Sequence, residues 1–346
     1  MKSLSALKRG SGITTRKFGI VIFLLIINII FVLVLSIPMF YTLQDSFGDS
    51  KVSEKMLESF DTLWYGEFRN EVSGFASSFS PSIIGIGAIL NNFVTIESGN
   101  LFNIRSIPNT IFLLGLLYLL FGAFLNGGIL GAFNSPERKF SFGNFFEDCG
   151  KYFIRFFFLM IIAVACYVVL QRFFIPWLNS EFNNLDWIKN ATEEKIPFLF
   201  DRLKNFIFVI ILFFIGMLFD YAKIITVVEQ RRNIIVSFFR SLGFIFAHII
   251  KTFSLYYFLV FIGIIFIALY TYIDSLFTAD TSMNIGIVFG IGQVYIILKI
   301  WLKCTFFSSQ MSLYKGVVVS PEEEELIPRT VEPFAIKEEP GESKSL

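Results

Sequence analysis

A carboxylate and several amines lie inside apolar stretches that are long enough to cross a bilayer. Asp220, Tyr221 and Lys223 stand toward the inner end of one such stretch, and Lys299 stands in another. A charged side chain in a membrane is costly, so it faces the interior of a helix bundle and needs a partner. Such groups can relay a proton or hold a charged substrate. These four residues are the candidate intramembrane polar site.

Position along the helices predicts that Lys299 is the partner of Asp220. Asp220 lies sixteen residues after Lys204 and Lys299 lies nineteen after Asp280, so both reach a comparable depth from the outer side. Two interpretations stay open. One is a relay built on Asp220, Tyr221 and Lys299, and the other is a structural ion pair joining two helices. With no second carboxylate or histidine at that depth, the structural pair is favoured.

No other set of residues indicates catalysis or a metal site. Serine, metallo and aspartyl mechanisms need a nucleophile with a base, several metal ligands or paired carboxylates. The chain has one histidine and three scattered cysteines, which supply neither a histidine metal cluster nor a disulfide framework. We therefore expect a protein that is not an enzyme and that uses no cofactor and no metal.

Composition predicts an all-α, polytopic membrane protein. The chain has 346 residues, of which 55% are hydrophobic and 16% charged. A hydrocarbon core about 30 Å thick needs roughly 20 helical residues. Six stretches meet that requirement, and we expect transmembrane helices near residues 18–41, 108–131, 152–177, 203–228, 252–273 and 283–314.

The charges of the loops predict the orientation. With the N-terminus inside, the outer segments hold nine Lys/Arg against fifteen Asp/Glu, and the inner segments before the tail hold seventeen against five. Cytoplasmic loops carry the excess of Lys and Arg. We therefore expect a multi-pass protein of the cell inner membrane with both termini cytoplasmic. The net charge of +1 gives no reason to expect a nucleic-acid partner.

Three regions follow from this topology. Residues 1–17 form a basic cytoplasmic N-terminal segment, 18–316 form the six-helix membrane domain, and 317–346 form an acidic cytoplasmic tail whose composition predicts disorder. Within the membrane domain, the outer region 43–106 contains an apolar piece at 83–96, broken by glycines, that predicts a re-entrant or interfacial segment.

The outer region also contains an amphipathic helix, because its apolar residues recur every three or four positions. The apolar residues are Met56, Leu57, Phe60, Leu63, Trp64, Phe68, Val72 and Phe75. Two functions stay open for this helix. It could form a lid or bind a partner, or it could cap the bundle at the outer bilayer surface, and the second is favoured.

An internal repeat predicts how the spans are grouped. Superposing Asn144–Arg155 on Ser237–His248 aligns two pairs of phenylalanines and one glycine, and Ser5–Gly10 resembles a third copy. Each copy precedes an outgoing and a returning span. We therefore expect three hairpins, each introduced by a short helix at the cytoplasmic interface. The glycines of 127–131 predict close helix packing.

Several short blocks of the sequence resemble a known group of membrane proteins. The blocks are Phe60–Trp64, Gly127–Leu130, Phe142–Phe153, Phe219–Ile224, Gln293–Tyr295 and Ser308–Gln310. Together they resemble an uncharacterised family of bacterial six-helix integral membrane proteins. They are also similar to the membrane domain attached to some glycerophosphoryl diester phosphodiesterases. The resemblance implies a bacterial inner-membrane protein, and it implies no activity because the soluble catalytic domain has no counterpart in this sequence.

Two functions remain for such a protein. The first is a non-enzymatic scaffold, assembly factor or accessory subunit of the membrane, with membrane lipids and other proteins as its partners. The alternative is a transporter or lipid-handling protein that uses Asp220 and Lys299. Phospholipid binding at the basic inner-surface helices is compatible with both.

Overall fold

The chain is all-α over the residues that the structure describes. The computed structural model describes residues 3–48, 61–79, 109–184, 195–277 and 281–318. Its α-helices are α1 (Ser3–Arg16), α2 (Phe18–Phe47), α3 (Thr62–Glu71), α4 (Asn109–Asn134), α5 (Phe142–Val169), α6 (Ile175–Asn184), α7 (Lys195–Val228), α8 (Ile234–Ala247), α9 (Ile249–Asp274) and α10 (Ser282–Val318).

Six of the helical segments are long and apolar enough to cross a membrane. They contain α2, α4, α5, α7, α9 and α10, and a π-helical turn over Leu170–Phe174 joins α5 to α6. The predicted all-α polytopic architecture is confirmed. The predicted re-entrant piece at 83–96 and nearly all of the acidic tail lie outside the described residues.

Two of the three hairpins begin with a separate short helix, and the chain breaks at equivalent points. Lys17 (φ −104°, ψ 36°) separates α1 from α2, and His248 (φ −129°, ψ 36°) separates α8 from α9. In each short helix, buried residues lie eleven, seven and three positions before the break. These residues are Ala6, Gly10 and Thr14 in α1 and Ser237, Ser241 and Ile245 in α8. The N-terminal segment is therefore a structural copy of α8.

In the second hairpin the expected separate short helix is wrong, because α5 continues from Phe142 to Val169 without a break. Phe156 occupies the position that His248 has in the third hairpin, 92 residues later. Phe156 is fully buried in the apolar core. An apolar side chain packed in this way favours continuation of the helix, whereas the polar Lys17 and His248 stand where the chain turns.

In the structure, equivalent residues of the two copies of the repeat are 92 residues apart, one fewer than in the alignment of the phenylalanine pairs. The N-caps Ser141 and Asn233 are 92 residues apart, and the buried residues Phe145 and Ser237 keep the same separation. The predicted alignment used a separation of 93. Because phenylalanine is so frequent in this chain, matching Phe pairs determined the alignment of the two copies less reliably than the positions of their buried residues do.

The three hairpins close into a ring. The first turns of α5 pack on α4, and α8 packs on α7, so each hairpin begins against the returning helix of the hairpin before it. Helix α1, the first helix described, packs on α10, the last one described, through one of the most extensive contacts between the described helices. Because α1 lies against the final turns of α10, both ends of the described chain are at the same end of the helix bundle.

Glycines on α4 allow the close approach of α5. A side chain at Gly128 would begin 2.6 Å from Cys149 Sγ, and a side chain at Gly127 would begin 3.0 Å from the carbonyl oxygen of Asp148. The space between these helices therefore admits only hydrogen at these positions. The close packing predicted for this helix end is confirmed.

The tightly packed core occupies the half of the bundle that holds the chain ends. The main cluster of buried residues combines the start of α2, the end of α4, the first half of α5 and the last turns of α7 and α10. Helix α2 has no buried residue after Leu24, and the first buried residue described in α10 is Ile300. The opposite halves of these helices expose apolar side chains, as helices in contact with lipid do.

The described part of the outer region caps α2. Asp61 accepts hydrogen bonds from the backbone N–H groups of Leu63 and Trp64, and it thereby begins α3. The Trp64 ring stacks on Phe47 at the end of α2, with ring centroids 4.7 Å apart. Leu63 was expected on the apolar face, but it is 81% exposed, because α3 begins at residue 62 and its apolar face is short.

Candidate functional site

Asp220 and Lys223 form an ion pair on one face of α7. Lys223 Nζ donates to Asp220 Oδ1 at 3.3 Å, and each side chain is about one-fifth exposed. The Lys223 ammonium also lies 5.7 Å from the centre of the Phe307 ring on α10. The pair therefore stands where α7 contacts α10, within the membrane-spanning part of both helices.

The predicted pairing of Asp220 with Lys299 is wrong. Lys299 is exposed on the surface of α10, and it is Lys223 that donates a hydrogen bond to the Asp220 carboxylate. Residues three apart on a helix are neighbours, so Lys223 reaches Asp220 without the help of a second helix. Lys303, one turn after Lys299 and also exposed, is the lysine of α10 whose charge acts on Asp220.

The site is consequently more cationic than a simple ion pair. Lys303 interacts electrostatically with Lys223, Asp220 and Lys299. These four residues are called the lysine cluster below. Asp220 pairs with Lys223 and feels the charge of Lys303, and Lys299 joins the cluster through its interaction with Lys303. The cluster therefore carries an excess of two positive charges when all four groups are ionised.

Tyr221, the third residue of the predicted relay, faces the protein core instead. It is fully buried, its ring lies 5.3 Å from that of Phe244, and its hydroxyl makes no hydrogen bond in the structure. Successive residues of a helix point about 100° apart, so Tyr221 and Asp220 occupy different faces of α7. The structure therefore does not bring Tyr221 into the lysine cluster.

Two other tyrosines stand near Asp220, and the sequence analysis missed them. A side chain at Gly216, one turn before Asp220, would begin 3.1 Å from the Tyr256 hydroxyl and 3.8 Å from the Tyr167 hydroxyl. The charge of Asp220 acts on both tyrosines. Tyr167 and Tyr256 come from α5 and α9, and their position in the middle of apolar spans was the available signal.

A second charged group fixes the C-terminal end of α7. Glu229 accepts hydrogen bonds from Arg231 Nε, from Arg240 Nη1 at 2.6 Å and from the Tyr314 hydroxyl. These partners come from the loop after α7, from α8 and from the last turn but one of α10. The carboxylate thus ties three elements together below the lysine cluster, and it holds α7 and α10 at a fixed spacing.

The same contacts shift the acidity of Glu229. Burial would raise its pKa, but the hydrogen bonds from Tyr314 and Arg231 and the charge of Arg240 outweigh burial and lower the pKa. A lowered carboxylate pKa stabilises the fold at pH values above the ordinary value of 4.5, and this contribution is lost as the pH falls through the lower value of the folded state.

Glu229→Gln is expected to remove this part of the pH dependence. Melting in detergent should show that acidification from about pH 7 to about pH 4 lowers the melting temperature of the wild type more than that of the variant. Glu137→Gln, which removes a carboxylate on the exposed loop between α4 and α5, is the matched control and should follow the wild type. Equal acid sensitivity in Glu229→Gln and the wild type would contradict the assignment.

The fold and the site define a class: a six-span, all-α membrane protein with a cationic cluster between two of its returning helices. No family, no curated protein and no solved structure matches the chain.

Proposed function

We propose that the protein is a non-enzymatic, lipid-handling component of a bacterial inner membrane, with both termini in the cytoplasm. Its lysine cluster would take the phosphate group of an anionic lipid. The observation that carries this proposal is the charge balance of the cluster, which contains three lysines and a single carboxylate. An ion pair that only joined two helices would need one lysine.

The depth of the lysine cluster along its helices supports a lipid phosphate as the anion that would balance its two excess positive charges. Lys303 lies twenty residues after Met283, where the last span begins, and Asp220 lies twenty-two after Phe198, where the fourth begins. At 1.5 Å per residue these positions are about 30 Å and 33 Å along their helices. A hydrocarbon core is about 30 Å thick, so the cluster stands at its inner boundary, next to the headgroups.

Exposure supports the same ligand. Lys299 and Lys303 are exposed on the surface of α10, where a lipid can reach them from the side. Anionic lipids of the cytoplasmic leaflet attract basic groups near the surface by about 1 kcal/mol for each Lys or Arg. The bacterial inner membrane is proposed from the loop charges and from the resemblance of the sequence blocks.

A liposome assay separates this function from the scaffold alternative. We expect wild-type protein to accelerate movement of a fluorescent anionic lipid between leaflets, measured by quenching from outside. Lys303→Gln should reduce that rate, and Lys8→Gln, an exposed lysine on α1, should not. Wild-type liposomes that behave like protein-free liposomes would contradict lipid movement and leave the scaffold function.

A further inference from the structure

A small pocket lies at the elbow between α4 and α5, apart from the lysine cluster. It has a free volume of about 20 Å³ and opens on one side, which is room for roughly one water-sized group. This elbow pocket is lined by Lys17, Gly131, Ala132, Ser135, Arg138, Lys139, Phe140, Ser141, Asn144, Phe145 and Asp148.

The elbow pocket has three basic groups and one acidic group. The Lys17 side chain is nearly buried, and its ammonium donates to the carbonyl oxygens of Ala132 at 2.6 Å and Ser135 at 2.8 Å. Arg138 and Lys139 are exposed at the rim. Burial and the positive charge of Arg138 lower the pKa of Lys17, which is the effect expected where cations outnumber anions.

The equivalent elbow of the next hairpin shows what completes such a group of cations. There Glu229 lies between Arg231, Arg240 and Tyr314 and accepts hydrogen bonds from all three. By the 92-residue repeat, Glu137 corresponds to Glu229, but it is exposed on the loop and forms no ion pair with the described residues. Glu137 therefore does not bridge the basic groups of the elbow pocket as Glu229 bridges those of its copy, although its charge acts on Lys17.

The backbone adds further hydrogen-bond donors to the elbow pocket. Ser141 is the N-cap of α5, and its side chain makes no capping hydrogen bond. The first N–H groups of a helix have no partner within the helix, and they attract anions. Together with Arg138 and Lys139 they give the pocket a cationic side that suits a phosphate.

Asp148 adds a negatively charged group to a pocket whose other charged side chains are basic. Its carboxylate lies against Gly131 of α4 and lines the same pocket. A carboxylate repels a simple phosphate, but it suits a ligand that carries an ammonium beside its phosphate. On the first two turns of α5, the apolar rings of Phe142 and Phe146 are exposed. Exposed apolar residues beside cations are typical of a surface at the lipid headgroups.

We propose that the elbow pocket binds the headgroup of a lipid that carries a primary amine, such as phosphatidylethanolamine. Only the ammonium, a water-sized group, enters the pocket, where Asp148 accepts hydrogen bonds from it. Arg138, Lys139 and the first N–H groups of α5 hold the phosphodiester at the exposed mouth of the pocket. This site uses none of the residues of the lysine cluster, so it does not depend on the function proposed above.

Native mass spectrometry of the full-length protein, with defined lipids added, tests the site. We expect the wild type to bind phosphatidylethanolamine about tenfold more tightly than phosphatidylcholine, whose quaternary ammonium has no N–H to donate. Asp148→Asn should abolish this preference and leave binding of phosphatidylcholine intact. The double variant R138Q/K139Q should weaken binding of both lipids, and Lys8→Gln, an exposed lysine on α1, should change neither.

Three outcomes would overturn the proposal. The first is an unchanged lipid preference in Asp148→Asn, and the second is wild-type binding by R138Q/K139Q. The third is complete displacement of the lipid by soluble phosphoethanolamine at equal concentration, which would indicate a site for a free phosphate compound. Melting temperatures of the variants, and unchanged lipid movement in the liposome assay, show that the fold and the lysine cluster remain intact.

Discussion

Of the substitutions that add a single methyl group to α1, Gly10→Ala is expected to destabilise the protein most. A methyl group there would begin 2.5 Å from the backbone N and Cα atoms of Ser309 on α10. Backbone atoms cannot rotate away as the end of a side chain can, so the two helices must separate. Overpacking costs up to about 3 kcal/mol in typical cores, and we expect the upper end of that range.

Separation of α1 from α10 would also break the hydrogen bonds at their crossing. Ser308 Oγ lies 2.9 Å from the carbonyl oxygen of Gly10 and 2.8 Å from Thr14 Oγ1. These contacts join the first hairpin to the last and so close the ring. The loss at Gly10 should therefore appear as a lower melting temperature of the whole protein rather than as local fraying of the N-terminus.

Gly12→Ala on the same helix is the matched control. A methyl group at Gly12 would meet no atom within 4 Å, and alanine is favoured over glycine in a helix by roughly 0.5 to 1 kcal/mol. Gly12→Ala should therefore leave the melting temperature unchanged or raise it. A Gly10→Ala protein as stable as Gly12→Ala would show that α1 does not pack on α10 as described.

Much of the fold could be predicted because a membrane restricts what a sequence can form. Long uncharged runs can only be helices when lipid surrounds them, and so the spans were visible in composition. The glycines at 127–131 indicated close packing because no other residue allows it. The place of α1 could not be predicted, because Ala6, Gly10 and Thr14 are a weak apolar stripe in a basic segment.

Position along the chain predicted which helices carry the candidate residues, but not which lysine pairs with Asp220. Depth along a helix follows from counting residues, and it placed Asp220 and Lys299 at similar levels. Which face each residue occupies depends on the rotation of the helices, which the sequence does not contain. Rotation places Lys303 nearer than Lys299 to Asp220 and turns Tyr221 into the core.

The second large effect is expected for the double variant K299Q/K303Q. These lysines supply the two positive charges that Asp220 does not balance, and both are exposed on α10. A gain of about 1 kcal/mol for each lysine near an anionic surface gives about 2 kcal/mol for the pair. The variant should therefore bind phosphatidylglycerol about thirtyfold more weakly than the wild type.

Glutamine keeps the length and polarity of the side chain, so the fold should persist, and Lys8→Gln controls for the loss of a positive charge elsewhere. The direct measurement is the affinity of the purified protein for phosphatidylglycerol, determined by native mass spectrometry in the wild type and the variants. A loss of about thirtyfold in K299Q/K303Q, with Lys8→Gln unchanged, is the predicted result. Equal affinity in all three proteins would show that the lysine cluster is not a site for a lipid phosphate.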